Sequence, residues 1–260
     1  DWLGEGVSEL VLDRLYTARN LYVFDREERI AASERIGIPS SAVISRATDM
    51  RLGWSLGADA VISGSMQGDH DHFQIDARVV DLAGVRISGD YSVTGKLDDV
   101  IRMVNDLAAD LSENFISAPQ TPLSPGPGVS AFENYIRSLI TQDPQRRLAL
   151  LNDAVRPDPN YPSAQYRLAA AYLFERNYKA SNLALENVPP GSREYLQAQF
   201  LRGLNHYRLG EFSAASKVFA ALPPTYDVLV NLGVSLAAQG DGAQALLAWS
   251  RASSQDPLGS

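Results

Sequence analysis

The chain has 260 residues, of which 45% are apolar and 21% are charged, the proportions of an ordinary folded protein rather than a disordered one. Its net charge is −8: residues 1–116 contain 11 lysines and arginines against 20 acidic residues, and residues 117–260 are nearly neutral. The chain therefore offers no basic surface for nucleic acid, and its lack of cysteine excludes disulfides and thiol chemistry.

Helical and strand periodicities alternate over residues 1–116. The spacing of apolar residues predicts helices over 6–17, 27–36, 41–57 and 97–111, and two-residue alternation predicts strands over 60–66, 73–81 and 85–93, with a shorter β-prone run at 21–24. In the third helix, Ala47, Met50 and Trp54 fall on one predicted apolar face. The three alternating strands with tight turns predict an antiparallel meander. The order of all elements predicts an α/β domain in which helices flank a mixed sheet.

A proline-rich segment follows this domain. Residues 117–130, "SAPQTPLSPGPGVS", contain four prolines and two glycines. Proline removes backbone donors and restricts the backbone, so the segment is predicted to be a semi-rigid linker between two domains.

An internal repeat fills residues 131–260. Ala169, Ser181 and Leu185 are followed 34 residues later by Gly203, Ala215 and Phe219, and after 30 more by Gly233, Ala245 and Trp249. The small residues permit two antiparallel helices to approach closely, and the large residue fills the space beside them. Gly210 is predicted to form the turn between two such helices.

This pattern resembles the tetratricopeptide repeat (TPR) family. The resemblance implies an all-α C-terminal superhelix of about four repeats over residues 131–260. The first repeat, with Arg147, Leu151 and Ala154, is degenerate, because Tyr135 occupies a position where a small residue is expected.

The first segment carries motifs of its own. The stretches "DWLGEGVSELVLDRL", "RATDMRLGWSLGADAVISGSM" and "FQIDARVVDLAGVRISGDYSVTGKLDDVI" resemble the amino-terminal domain of TolB and related domains of curli- and flagellar-assembly proteins. Such domains usually begin with a central strand before the "GEG" helix, and that strand is expected upstream of Asp1 or is missing. The resemblance implies a role outside the cytoplasm, in cell-envelope assembly, and a periplasmic location.

Successive first helices of a TPR array line a concave groove, which is the predicted site for a protein or peptide ligand. In the first two of these helices, the second, third and fourth groove residues follow the first by four, seven and eight positions, and in the last helix two residues are four positions apart. They are Tyr166, Ala170, Leu173 and Phe174, then Phe200, Leu204, Tyr207 and Arg208, then Val230 and Val234. The aromatic residues are predicted anchors, and Arg208 is predicted to bind a carboxylate. The alternative is that many of these residues pack between the repeats instead of facing a ligand.

The search for catalytic chemistry yields one weak candidate. His70 and His72 flank Asp71 in a predicted hairpin turn and could bind a divalent metal, but a solvated turn explains them as well. No cofactor motif or nucleophile motif occurs, so we expect no enzyme activity and no cofactor. No apolar run reaches the length of a membrane span.

The sequence therefore predicts a non-enzymatic adaptor or scaffold that binds protein through the concave groove. Two alternatives stay open: a sensory or scaffolding module of a larger transmembrane regulator, and a metal-dependent enzyme. The last repeat has no polar capping helix over Leu246 and Trp249, so self-association through this end is a further expectation.

Overall fold

The computed structural model describes residues 2–16, 21–39, 45–113, 115 and 126–255. Contacts within the chain divide it into two units, Asp1–Val129 and Ser130–Ser260. Most of the predicted linker lies outside the described residues. Its last part, residues 126–128, is irregular, and the first helix of the second unit begins at Val129.

In its described residues, the first unit combines four α-helices with one small sheet. In chain order these are α1 (Trp2–Tyr16), α2 (Arg26–Arg35), α3 (Arg46–Leu56), β1 (Ala60–Gly68), β2 (Phe73–Asp81), β3 (Arg86–Gly95), a 3-10 turn (Leu97–Asp99) and α4 (Val100–Glu113). The three strands begin within one residue of the predicted positions. They form an antiparallel sheet in the order β1-β2-β3.

The core of this unit lies on one face of the sheet. Phe73, Ile75, Ala77 and Val79 alternate along β2 and are all buried, and α4 packs on this face together with α1. The apolar side of α4 is correspondingly buried from Val100 to Leu111. The opposite face of β2 is polar, and there Arg78 forms an ion pair with Asp90 of β3 at 2.7 Å.

Helix α3 packs on β1 through a different face from the one that we predicted. A Cβ atom at Gly53 would collide with Val61 of β1 and would lie 2.8 Å from Cδ1 of Leu82, whereas Trp54 is 52% exposed. The Ser63 hydroxyl of β1 hydrogen-bonds to Asp49, and burial raises the pKa of that carboxyl group. The close approach at Gly53 thus determines the rotation of the helix, and the prediction for Trp54 is wrong.

The sheet is antiparallel throughout its described strands, so the prediction of a mixed sheet is wrong for this part of the chain. Residues 21–25 form no strand. Tyr22 instead packs edge-on against Phe24 and hydrogen-bonds to Glu28. Asp25 then begins α2 with a capping box that it shares with Glu28. This local aromatic and capping arrangement replaces the predicted β pairing.

Within the described residues, the second unit consists of eight helices in four consecutive pairs, which we call hairpins, and the two helices of each of the last three pairs pack closely together. The hairpins are α5 (Val129–Ile140) with α6 (Pro144–Val155), α7 (Pro162–Phe174) with α8 (Tyr178–Leu185), α9 (Tyr195–Arg208) with α10 (Phe212–Ala220), and α11 (Tyr226–Ala238) with α12 (Gly242–Ser253). These pairs match the predicted repeats. The TPR-like array of helical hairpins is therefore confirmed as a fold.

A small residue on the first helix of a hairpin leaves room for a large side chain from the second helix. A Cβ atom at Gly203 would lie 2.6 Å from Cζ of Phe219, so only glycine leaves room for that ring. Gly233 receives the indole of Trp249, whose Nε1 donates to the Val230 carbonyl at 3.2 Å. The predicted packing pattern is confirmed in the third and fourth hairpins.

The first hairpin departs from this pattern. Tyr135 is buried at the position of the small residue, and its ring packs edge-on against Tyr161 at 5.1 Å. The helices α5 and α6 approach each other less closely than the helices of the other hairpins. The predicted degeneracy of this repeat thus has a steric cause.

The turns inside the last three hairpins share a left-handed residue. Gly210 and Gly240 have φ values of 77° and 86°, and Arg176 occupies the equivalent position of the second hairpin with a φ of 58°. A left-handed conformation costs a residue with a Cβ atom roughly 1–2 kcal/mol, and glycine adopts it freely.

We expect Arg176→Gly to raise the free energy of unfolding by about 0.5–1 kcal/mol, because the substitution removes this strain. Urea unfolding followed by helical circular dichroism measures the change. The reciprocal substitution Gly210→Arg serves as the control and should destabilise the protein. A loss of stability in Arg176→Gly would show that the arginine side chain contributes more than the strain costs.

Candidate protein-binding surface

The first helices of the last three hairpins lie side by side, with α9 between α7 and α11. Residues at equivalent positions therefore form rows that cross the three helices. Two of these rows, a middle row and a C-terminal row, make up what we call the first-helix surface. Its middle row is Ala170, Leu204 and Val234, and its C-terminal row is Phe174, Arg208 and Ala238.

The middle row is aliphatic and half-buried in all three helices. Leu204 also packs against the buried cluster of Ala215, Phe219 and Val228, as Phe200 and Tyr207 do, so this row offers a partner only the exposed part of its side chains. The C-terminal row is more exposed and chemically mixed: Phe174 is 79% exposed, and Arg208 is also exposed. Arg208 forms no ion pair with any residue in the part of the chain that the structure describes. The row therefore presents an exposed aromatic ring on α7 and an exposed guanidinium group on α9.

Two predicted groove residues of α9 serve mainly as packing residues. Phe200 packs edge-on against the buried Phe219 at 5.5 Å, and Tyr207 packs against Phe212 at 5.4 Å. Both belong to the apolar cluster around Ala215, Phe219 and Val228. Their exposed area is therefore limited, and they hold α9 against α10 and α11 more than they face a ligand.

The remaining predicted residues lie on the same helices and are half-buried. Tyr166 lies under the guanidinium carbon of Arg167, which is 5.9 Å from the ring centre. Leu173 precedes the exposed Phe174, and Val230 accepts the indole hydrogen bond of Trp249 through its carbonyl. These residues border the first-helix surface, and their role in binding stays a prediction.

The site residues predicted from the sequence leave out several exposed residues of these helices, among them Gln197, Asp227 and Ala238. Gln197 and Asp227 are exposed at equivalent positions near the N-terminal ends of α9 and α11, and Ala238 completes the C-terminal row. The same 34- and 30-residue periods that identified the repeats would have found them. They add polar groups at one end of the surface and a small residue at the other.

The two histidines of the β1–β2 turn point to different acidic partners. Nε2 of His70 lies 3.3 Å from Asp98, and Nδ1 of His72 lies 3.6 Å from Asp69. Both side chains are largely exposed. Within the described residues, no three histidine or acidic side chains are placed to hold a metal ion together. The turn is thus organised by local hydrogen bonds from the backbone to Asp69.

The fold and this surface define the class of protein, an array of TPR-like helical hairpins. No protein-family model matches the chain, and no curated protein is significantly similar to it. Two solved structures of MamA, designated MSR-1 and AMB-1, are similar over 58% of the chain at 18% identity. Their TM-scores are 0.44 and 0.45, and the matches cover 86% and 89% of those chains. A likeness at this level says nothing about a shared partner.

Among the described residues, no helix combines the length and apolar character needed to cross a bilayer.

Proposed function

We propose that this protein is a non-enzymatic adaptor that binds another protein on the first-helix surface. The observation that carries the proposal is the exposed pair Phe174 and Arg208 beside an aliphatic row. Aromatic residues, phenylalanine included, and arginine are both enriched at protein interfaces. Burying the ring against a partner would remove apolar area from water, which is the main driving force of association.

The chemistry of the surface favours one kind of ligand. The middle row accepts aliphatic side chains, and Arg208 suits a carboxylate because its guanidinium group can donate two parallel hydrogen bonds. An amphipathic peptide segment with apolar residues and one acidic residue satisfies both requirements. A basic segment would meet Arg208 as a like charge.

The test is affinity capture of partners with the Phe174→Ser, Arg208→Glu double variant. We expect the variant to lose at least about tenfold in affinity for a partner that the parent captures, because both anchors are removed. Quantitative mass spectrometry of the captured proteins measures the loss, and purified partner then gives the dissociation constant.

The matched control changes the opposite side of the array. Leu183→Ser, Lys217→Glu replaces an apolar residue and a cation at equivalent, exposed positions of the second helices α8 and α10. This variant should bind like the parent. If it loses the partner while the first-helix variant keeps it, the binding surface lies on the second helices and the proposal is wrong.

We further propose that the adaptor acts in cell-envelope assembly, outside the cytoplasm. The support is the resemblance of the first segment to TolB-type domains, together with an order of domains in which repeats follow that segment. Fractionation of cells that express the protein from its own locus tests this location. Recovery with cytoplasmic markers alone would contradict it.

A further inference from the structure

The two ends of the first-helix surface carry charges of opposite sign. Residues that follow one another by seven and then by four positions lie along one line of an α-helix, because eleven residues complete about three turns. Two such lines run along α9 and α11: Gln197, Leu204 and Arg208, and Asp227, Val234 and Ala238. Arg208 therefore lies at the C-terminal end of the surface and Asp227 at the N-terminal end, on either side of the middle row.

Asp227 presents an available carboxylate at the N-terminal end. Its side chain is exposed and forms no ion pair with any residue that the structure describes. Glu194, three residues before Gln197, is buried instead: it accepts from the Ser163 hydroxyl at 2.7 Å and pairs with Arg193 at 3.1 Å. A cationic group of a ligand can therefore reach Asp227, whereas Glu194 is already paired within the protein.

Both end charges also stabilise their own helices. Asp227 lies in the first turn of α11 and Arg208 in the last turn of α9, where a carboxylate and a cation respectively interact favourably with the helix dipole. Any exposed position of those turns would serve this purpose. Both residues nevertheless stand on the lines that carry the middle row, so a ligand that contacts that row also meets both charges.

We propose that the ligand of the first-helix surface is an extended peptide whose basic residue pairs with Asp227 and whose acidic residue pairs with Arg208. This inference rests on the proposed function and adds a second charge and a spacing to it. A peptide with acidic residues alone would meet Asp227 as a like charge, and a wholly basic peptide would meet Arg208 in the same way. The surface therefore selects a peptide with both charges and fixes its direction.

The distance between the two charges determines their spacing in the peptide. Eleven residues of helix span about 16 Å along the axis, and neighbouring helices lie roughly 10 Å apart, so the charges are separated by about 19 Å. An extended chain covers about 3.3 Å per residue, which places the two charged residues about five or six positions apart. The path between them crosses the middle row near Val234 and Leu204, where alternate apolar side chains of an extended peptide make contact.

Selection from a displayed library of random peptides tests the proposal, with peptides about 16 residues long to include both the extended and the helical spacing. Peptides enriched on the parent, relative to the Phe174→Ser, Arg208→Glu variant, should carry a basic and an acidic residue about five or six positions apart. Asp227→Lys should select an acidic residue in place of the basic one. Glu186→Lys is the matched control, since Glu186 is exposed at the end of the second helix α8, and it should select the same peptides as the parent.

Fluorescence anisotropy of one selected peptide then gives the size of the effect. Replacing the basic residue of the peptide with glutamate should weaken its binding to the parent about fivefold or more. Asp227→Lys should restore the binding of this changed peptide. A purely structural role of Asp227 would weaken every peptide alike and would not reverse the preferred charge, and circular dichroism of the variant verifies its helix content.

The possible results separate this inference from the proposed function. Selected peptides with an acidic residue alone, or with charges about twelve positions apart as in a helix, would overturn the inference and leave the proposed function in place. A charge preference that Asp227→Lys leaves unchanged would do the same. No enrichment on the parent over the first-helix variant would contradict the proposed function itself and the inference with it.

Discussion

Replacing Phe219 with alanine is expected to lower the free energy of unfolding of the hairpin unit by about 3–5 kcal/mol, the usual cost of truncating a buried aromatic residue. Phe219 is among the largest fully buried side chains of the described residues, and it packs against Gly203, Phe200 and the next hairpin. The substitution therefore removes contacts within the third hairpin and at its boundary with the fourth. Urea unfolding followed by helical circular dichroism gives the value.

Phe174 provides the matched control, because Phe174→Ala changes the same residue type at a 79% exposed position. Its effect should stay within about 0.5 kcal/mol. The double variant Gly203→Ala, Phe219→Ala adds a coupling test: the added methyl group should be tolerated once the ring is gone and costly while it is present. Equal costs of Gly203→Ala in both backgrounds would contradict the packing described here.

Replacing Asn205 with alanine is expected to cost about 1–3 kcal/mol, because buried polar partners lose their donor. The Asn205 amide nitrogen bridges Ser181 and Asn182, so it joins the second hairpin to the third. Loss of this bridge should weaken the coupling between hairpins as well as lower the midpoint of unfolding. A broader transition with a smaller denaturant slope would record the weaker coupling.

Asn231→Ala is the control for this substitution. The Asn231 amide donates to the Asp227 carbonyl within α11 and makes no bridge between hairpins. We expect its effect to stay within about 0.5 kcal/mol. If both variants lose the same stability, the bridge at Asn205 contributes nothing beyond helix propensity.

The repeat pattern predicted the hairpins because small and large residues recur at equivalent positions, where they pack the two helices of a hairpin together. Gly203 could be paired with Phe219, and Gly233 with Trp249, from their spacing alone. The two helices of a hairpin approach closely where a small residue on one helix faces a large residue on the other. The strands of the first unit were likewise predictable, because alternation along β2 matches its buried face.

The errors have a common physical cause. Periodicity determines which residues share a helix face, but it does not determine how that face is rotated against its neighbours. Trp54 therefore turned out to be exposed beside the buried Gly53. Phe200 and Tyr207 pack against Phe219 and Phe212 of α10, which was the expected alternative for part of the groove residues, and their role in binding stays a prediction. Phe174 and Leu246, by contrast, are exposed, which agrees with the prediction from the repeat pattern.

The central claim is that a partner protein contacts the first-helix surface at Phe174. The most direct measurement is site-specific photo-crosslinking with a benzophenone amino acid at position 174, and at position 183 for comparison, in the presence of the captured partner. The account predicts a covalent adduct with the partner from position 174 and none from position 183. An adduct from position 183 alone would contradict it.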